Sequence, residues 1–260
     1  MTTTNGSAGQ PKTSAASVGK ARWLARAGVL LALAMLLPPA LRPCLTLHPT
    51  AAGVGSAVAF AASGLVALLL ATALWNRALL RGGLPAELRR GNLAAGIVAG
   101  AHAAGTGIVA AHCFAADTLA ILPVGAIFFM VAEVALLLLS LCFRALTDYA
   151  DDQEILGENP AAAVSYSGLV LALSLIVGHA ADGAFTSWPA ALGAFALFLL
   201  WALLLYPVRQ VVVARWLLGF PLTLRGGALD RAVAREHDAV ASCVEAVGYL
   251  AAALLVTGLA

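Results

Sequence analysis

Apolar residues run along this chain in long unbroken blocks separated by short polar segments. Six blocks, near residues 56–75, 93–114, 121–143, 161–181, 188–208 and 238–259, are long and nearly free of charge. About 20 such residues, rising about 1.5 Å each in a helix, span the hydrocarbon core of a bilayer. The blocks are continuous rather than alternating, so helices are expected and a β-barrel is not. A seventh, shorter run, residues 27–41, follows Lys12, Lys20, Arg22 and Arg26 and is broken by Pro38-Pro39. It reads either as an uncleaved first helix or as a secretory signal. No clear A-x-A site follows it, and Leu41-Arg42-Pro43-Cys44 is a poor lipobox.

Within the blocks a layout recurs. At one constant offset Arg77 matches Arg144, Glu87 matches Glu154, Asn92 matches Asn159, Ala94-Ala95 match Ala161-Ala162, and His112 matches His179. Such an ungapped register reads as an internal repeat. A fainter third copy starts at Glu236-His237-Asp238, with His237-Asp238 where the others carry asparagine. The expected fold is all-α, a polytopic transmembrane helix bundle of tandem helical hairpins. Residues 1–26 are expected to form a disordered cytoplasmic tail, and 27–55 the first apolar segment with an outer loop. The hairpins follow at 56–118, 119–186 and 187–260. Asn92 and Asn159 stand where an N-cap satisfies orphaned amides, with Pro160 suited to the first helical position. Gly96, Gly100 and Ala104 form a small-residue stripe that lets backbones approach, within the chain or between copies. Residues 207–224, with Arg209, Arg215, Trp216 and Phe220, suit an interfacial segment at the inner headgroups.

Composition narrows the class further. Hydrophobic residues make up 62% of the chain and charged ones 11%, with mean hydropathy +0.93, outside the range of soluble domains. Of the 15 Lys and Arg, all but Arg42 fall in segments that alternate to one side. The positive-inside bias makes that side cytoplasmic, with the N-terminus inside and the C-terminus outside.

Polar residues inside spans are the default places to look for function. Glu133 and His102 fall near the middle of adjacent antiparallel helices, and Glu245 lies nearer the cytoplasmic third. A His–Glu pair at that depth is suited to relaying a proton or gating an ion, against the plainer reading of a protonated carboxyl bonded within the bundle. At the outer ends His112 and His179 occupy equivalent positions, with Cys113, Asp117 and Asp182 near and His48 and Cys44 on the preceding loop. Their spacing lacks a tight ligand pattern, so interface histidines are expected rather than a metal site. A Cys44–Cys113 disulfide is conceivable on the oxidising face, while Cys142 and Cys243 are expected to be unpaired in or near the membrane. The acidic stretch Asp148, Asp151, Asp152, Glu154 and Glu158 reads as a solvated loop. No phosphate loop, nucleophile elbow or zinc-protease helix is present, so no enzyme, cofactor or nucleic-acid partner is expected. The expected partners are the lipid bilayer and a second copy of the chain or another membrane protein.

The layout E-x-x-x-x-N-x-A-A-[GA]-[IV] after a helix, on Glu87, Asn92, Ala94, Ala95 and again on Glu154, Asn159, Ala161, Ala162, resembles the YjfL-like bacterial inner-membrane proteins, domain of unknown function 350. A unit of that family has four membrane helices made of two hairpins. The N-terminal segment, the third hairpin and His237 in place of asparagine depart from the pattern. The resemblance implies fold and a bacterial inner-membrane location, not an activity. Two functions stay open: a structural or accessory membrane component acting through helix packing, and an ion or proton channel or transporter using His102 and Glu133.

Overall fold

The computed structural model describes residues 15–45, 50–78, 83–116 and 118–259. Lys12, His48, Arg81 and Asp117, and the expected tail over residues 1–14, lie outside the described residues. Among those residues every regular element is helical. The long helices are α1 (Ala15–Leu41), α2 (Ala51–Ala78), α4 (Leu93–Cys113), α5 (Leu122–Arg144), α7 (Pro160–Ala180), α8 (Trp188–Leu199) and α11 (Ala239–Leu259), with short helices α3 (Leu84–Arg90), α6 (Asp151–Leu156) and α10 (Ala228–Ala234) leading into α4, α7 and α11. α8 continues through a tighter turn, a short α9 (Leu205–Pro207) and a π-helical stretch, Val208–Leu217. Seven of the resulting segments are long and apolar enough to cross a membrane. The chain is built as a multi-pass membrane protein.

Two expectations change at the N-terminus. Helix α1 begins at Ala15, inside the stretch expected to be disordered, and it runs through Pro38 and Pro39. Alanines at 15, 16, 21 and 25 favour helix, and the start of α1 is held by packing on α4. Both prolines fall in the last turn, where a lost backbone bond matters least.

The architecture rests on glycines. A Cβ on Gly28 would strike the backbone of Gly100, and one on Gly96 the backbone of Ala21, so α1 and α4 touch backbone to backbone. Gly107 meets Ala32 in the same way further along, which fixes the pair as parallel. On the other side of α4, Gly105 packs on Ser174 and Gly178 on His112, and beyond them Gly168 packs on Ala246. Helices α1, α4, α7 and α11 therefore form a row of parallel neighbours, with α4 and α7 buried along nearly their whole length. Helices α2, α5 and α8 return antiparallel and present large apolar side chains outward, among them Leu69, Leu70, Met130, Leu138, Leu197 and Leu203. The small-residue stripe of α4 is thus covered by α1 of the same chain and offers no face to a second copy.

At one end of the row, the capped end, α4, α7 and α11 each begin on a side-chain cap. Asn92 Oδ1 accepts from Ala95 N at 3.1 Å, and Asn159 Oδ1 accepts from Ala161 N and Ala162 N at 3.0 and 3.2 Å. The same amides also donate. Asn92 Nδ2 reaches Glu87 Oε2 at 2.9 Å and Ile155 O of α6 at 2.8 Å. Asn159 Nδ2 reaches Glu154 Oε2 at 2.8 Å and Val233 O of α10 at 3.0 Å. Each asparagine therefore caps its own helix and pins the short helix of the next corner. The third corner departs from the alignment: Asp238, not His237, caps α11, accepting from Val240 N and Ala241 N. His237 instead takes the left-handed turn position (φ 53°) that Gly91 (φ 83°) and Glu158 (φ 62°) take before Asn92 and Asn159. Asp238 carries only acceptors and donates to no further corner among the described residues.

Asn159→Asp should remove both donated bonds, leave Val233 O unpaired and set a second carboxylate against Glu154. The expected loss is about 1–3 kcal/mol, whereas Asp238→Asn should stay within about 0.5 kcal/mol. Thermal unfolding in detergent compares the two, and equal losses would contradict the pinning role.

Candidate functional site

The close packing of the row lets polar side chains on four helices meet inside the bundle. Glu133, on α5, is half-buried and accepts from Trp75 Nε1 of α2 at 2.7 Å. The Trp75 ring lies against His102 of α4, with ring centroids 4.4 Å apart. His102 and Glu133 are therefore neighbours of one indole rather than a direct pair. On its far side His102 Nε2 lies 3.0 Å from Tyr166 Oη of α7. Three buried atoms in this region, His102 Nδ1, Thr106 Oγ1 and Glu133 Oε1, make no hydrogen bond of good geometry among the described residues, although the Thr106 hydroxyl stands close enough to the Glu133 carboxylate to act on it as a donor. Buried polar atoms are nearly always paired, so a loosely held carboxylate oxygen on one side of the Trp75 indole and an unpartnered imidazole nitrogen on the other set this place apart. Ser140, also buried and unpartnered, continues the same face of α5 from Glu133 toward Arg144.

Toward the capped end the chain of polar groups widens. The Arg144 guanidinium lies 5.7 Å from the centre of the Tyr166 ring, a cation–π distance. It also binds Asp151 at 3.0 Å and Asp152 at 3.6 Å. A cavity of about 20 Å³, room for one water-sized occupant, is lined by Arg144, Tyr149, Asp151, Ser165, Tyr166 and Glu245. Glu245 accepts from Ser165 Oγ at 2.7 Å, from Arg209 Nε at 2.5 Å and from Tyr249 Oη at 3.3 Å. Arg209 also binds Asp230, whose other oxygen accepts from Asp148 N at 2.7 Å. Arg209, Asp230 and Glu245 are each buried. One guanidinium thus faces two carboxylates, a set that low dielectric makes costly unless every hydrogen bond is made.

Two sequence expectations fail here for the same reason. Residues 207–224 do not form a separate interfacial segment: the first half extends the α8 span, and its π-wound backbone carries Arg209 inward onto Asp230 and Glu245. The acidic stretch is not simply solvated either. Asp151 and Asp152 are held by Arg144, Glu154 by Asn159, and Glu158 lies 3.8 Å from Arg90. Glu87, the remaining motif carboxylate, is buried between Asn92 and Arg90.

At the opposite end, the histidine end, His112 Nδ1 lies 2.8 Å from both oxygens of Asp182, and His179 Nδ1 lies 3.4 Å from the same carboxylate. The two imidazoles are 6.2 Å apart. Among the described residues no group of three or more His, Cys, Asp or Glu is arranged to hold a metal ion. The four cysteines are free thiols, so Cys44 and Cys113 are not bridged.

Of the residues singled out from sequence, His102 and Glu133 are brought together through Trp75, and Glu245 joins Arg209 and Asp230. His112 and His179 share Asp182, while Glu87, Asn92, Glu154 and Asn159 form the caps. Sequence reasoning missed Trp75, Tyr166, Asp230 and the burial of Arg209. Trp75 carried a usable signal, as an indole N–H deep in an apolar run needs an acceptor.

The fold and this buried polar chain define a helical multi-pass membrane protein with ionisable groups in its interior. Residues 20–114 and 117–260 match the family described as Domain of Unknown Function (DUF350), and the chain belongs to that family. The division between the two matches falls between α4 and α5. No curated protein and no solved structure matches the chain.

Arg209→Met should cost about 3–5 kcal/mol by leaving two buried carboxylates uncompensated, and adding Glu245→Gln should recover part of that loss. Thermal melts of the single and double variants test this; additive losses would rule out the coupling. Burial raises the Asp151 carboxyl from 3.8 to about 6, against the opposing pull of Arg144. The folded chain thus binds this proton more tightly than the unfolded one, and its stabilising contribution, full below pH 3.8, is lost as pH rises through about 6. The stability of wild type relative to Asp151→Asn should accordingly fall between pH 4 and pH 7 and stay level above it, as read from denaturation at each pH.

Proposed function

We propose that this protein moves protons across a membrane, with Glu133 as the carboxylate that takes up and releases the proton in mid-span. The observation that carries the reading is the state of that side chain. One oxygen is fixed by the Trp75 indole, and the other is enclosed with only the loosely placed Thr106 hydroxyl beside it, while the unpartnered His102 Nδ1 lies across the indole. Charge in a span is expensive and rarely kept without use. The Trp75 indole N–H, a donor only, can bond the carboxyl in both its charged and its neutral form. Trp75 has no acceptor and positions the group rather than relaying through it. The relay runs from Glu133 past Thr106 to His102, to the Tyr166 hydroxyl, and into the small cavity lined by Asp151 and Glu245. Connected donors and acceptors of this kind polarise one another and shuttle protons over short steps.

The orientation we assign puts the capped end in the cytoplasm. Arg77, Arg89, Arg90, Arg144, Arg215, Arg225, Arg231 and Arg235 gather at that end and Arg42 stands at the other, as the positive-inside bias requires. The repeated corners, with Asn92 and Asn159 making matching bonds, support a bundle of tandem hairpins; the family resemblance points to a bacterial inner membrane. A second reading, an accessory component acting through helix packing, is favoured by the backbone-to-backbone contacts of the row.

Purified protein in liposomes with a potassium diffusion potential and an internal pH dye separates the two. Wild type should acidify or alkalinise the lumen at least about tenfold faster than Glu133→Gln, with Glu133→Asp retaining part of the rate. A wild-type rate equal to that of empty liposomes, or a Glu133→Gln rate equal to wild type, would overturn proton movement and leave the packing role.

A further inference from the structure

The polar chain has a cavity at its other end that the relay above does not use. Between the ends of α4, α5, α7 and α8 at the histidine end lies an open cavity of about 730 Å³, lined among others by His112, Cys113, Gly125, Phe128, Asp182 and Phe185. His112 and Asp182 line it and belong to one polar group, which His179 completes from just outside the lining. His112 from α4 and His179 from α7 both point Nδ1 at the Asp182 carboxylate, and all three side chains are partly exposed, at 30%, 29% and 43%. The elements around them add the buried Cys113 thiol from α4, the hydroxyls of Thr118 and Thr186, and aromatic rings from α5 and α8, with Phe198 against His179 at 5.1 Å. Imidazole is the side chain that gains and loses protons near neutral pH, and a carboxylate held between two of them offsets the charge that arrives.

The floor of this cavity lies about two helical turns from the relay. Cys113 lines it and lies on the face of α4 that also carries Thr106 and His102, at spacings of seven and eleven residues that repeat on one side of a helix. On α5, Gly125 lies against Cys113 O, and Glu133 follows roughly two turns further into the bundle. Between the floor and the Thr106 and Glu133 side chains lie the buried apolar residues Val109, Ala110 and Phe129, about two helical turns of packing for a proton path to cross.

We propose that this cavity is the port through which protons pass between water on the histidine-end side and Glu133, with His112, His179 and Asp182 as the group that exchanges them. The inference rests on the proton-moving reading of Glu133 and adds the side and residues of entry. It makes flux depend on the pH of the histidine-end side through these groups, and it makes the cavity an obligatory passage.

The test uses the same liposomes with two independent manipulations. In His112→Gln/His179→Gln, flux at neutral pH should fall by about tenfold, and its dependence on pH at the histidine-end side should flatten while that at the capped end remains. In the second, Ala184→Cys, which adds a thiol to the cavity wall, is combined with serine at Cys44, Cys142 and Cys243. It should lose flux when a charged, membrane-impermeant methanethiosulfonate is added from the histidine-end side and keep it before addition. Wild-type flux equal to that of empty liposomes would overturn the Glu133 reading and this port with it. Flux that requires Glu133 yet keeps its rate and pH profile in the histidine variant and in fully modified Ala184→Cys would overturn the port alone.

Discussion

Close contact between helix backbones is the constraint on which the rest of this molecule depends. Where Gly28 lies on Gly100, Gly96 on Ala21 and Gly168 on Ala246, no side chain separates the parallel helices of the inner row. Within lipid, apolar surface gives little drive to associate, so short-range packing and hydrogen bonding have to hold such helices together. The same closeness sets the reach of polar side chains. Tyr166 touches His102 across α7 and α4, and Ser165 touches Glu245 across α7 and α11, only because the backbones between them are narrow.

The capped end applies a second constraint, that of orphaned backbone groups at helix starts. An asparagine meets it and has two amide protons left over, which the chain uses to tie each corner to the next: Asn92 to Ile155, Asn159 to Val233. Asp238 at the third corner caps α11 in the same way and ties no further short helix among the described residues. Left-handed Glu158 and His237 show that the turn geometry is retained even where glycine is not, at a conformational cost of about 1 kcal/mol each.

Inside the row, polarity is arranged in two styles. The group around Arg209 is fully bonded, with Asp230, Glu245, Ser165 and Tyr249 meeting one another's needs, and such a set fixes a single packing of α10, α11 and the π-wound end of the long span. The group around Glu133 leaves several atoms unmet. A bonded network resists change, whereas atoms without fixed partners accept a proton at little structural cost. In the proposed reading the first group holds the fold and the second exchanges the proton. It also accounts for the isolated carboxylate of α5: Glu133 has only outward-facing Val66 at the matching position of α2.

Six spans and the capping asparagines were legible in the chain, because each follows from local physics: hydrocarbon thickness, uninterrupted apolarity and the unmet amides of a helix start; the first segment was left open between helix and signal, and its start at Ala15 and the extension of the sixth span to Leu217 were not legible. His102 and Glu133 were also legible as polar residues at matching depth. What the sequence could not decide is which neighbour each long-range partner finds. The indole of Trp75 between His102 and Glu133, the hydroxyl of Tyr166 beyond them and the inward turn of Arg209 depend on the lateral order of helices. That order is set by which glycine faces which backbone. Periodicity fixes the face of one helix and leaves open the identity of the helix it meets, so the spans belong to the sequence and the connected polar chain to the tertiary structure alone.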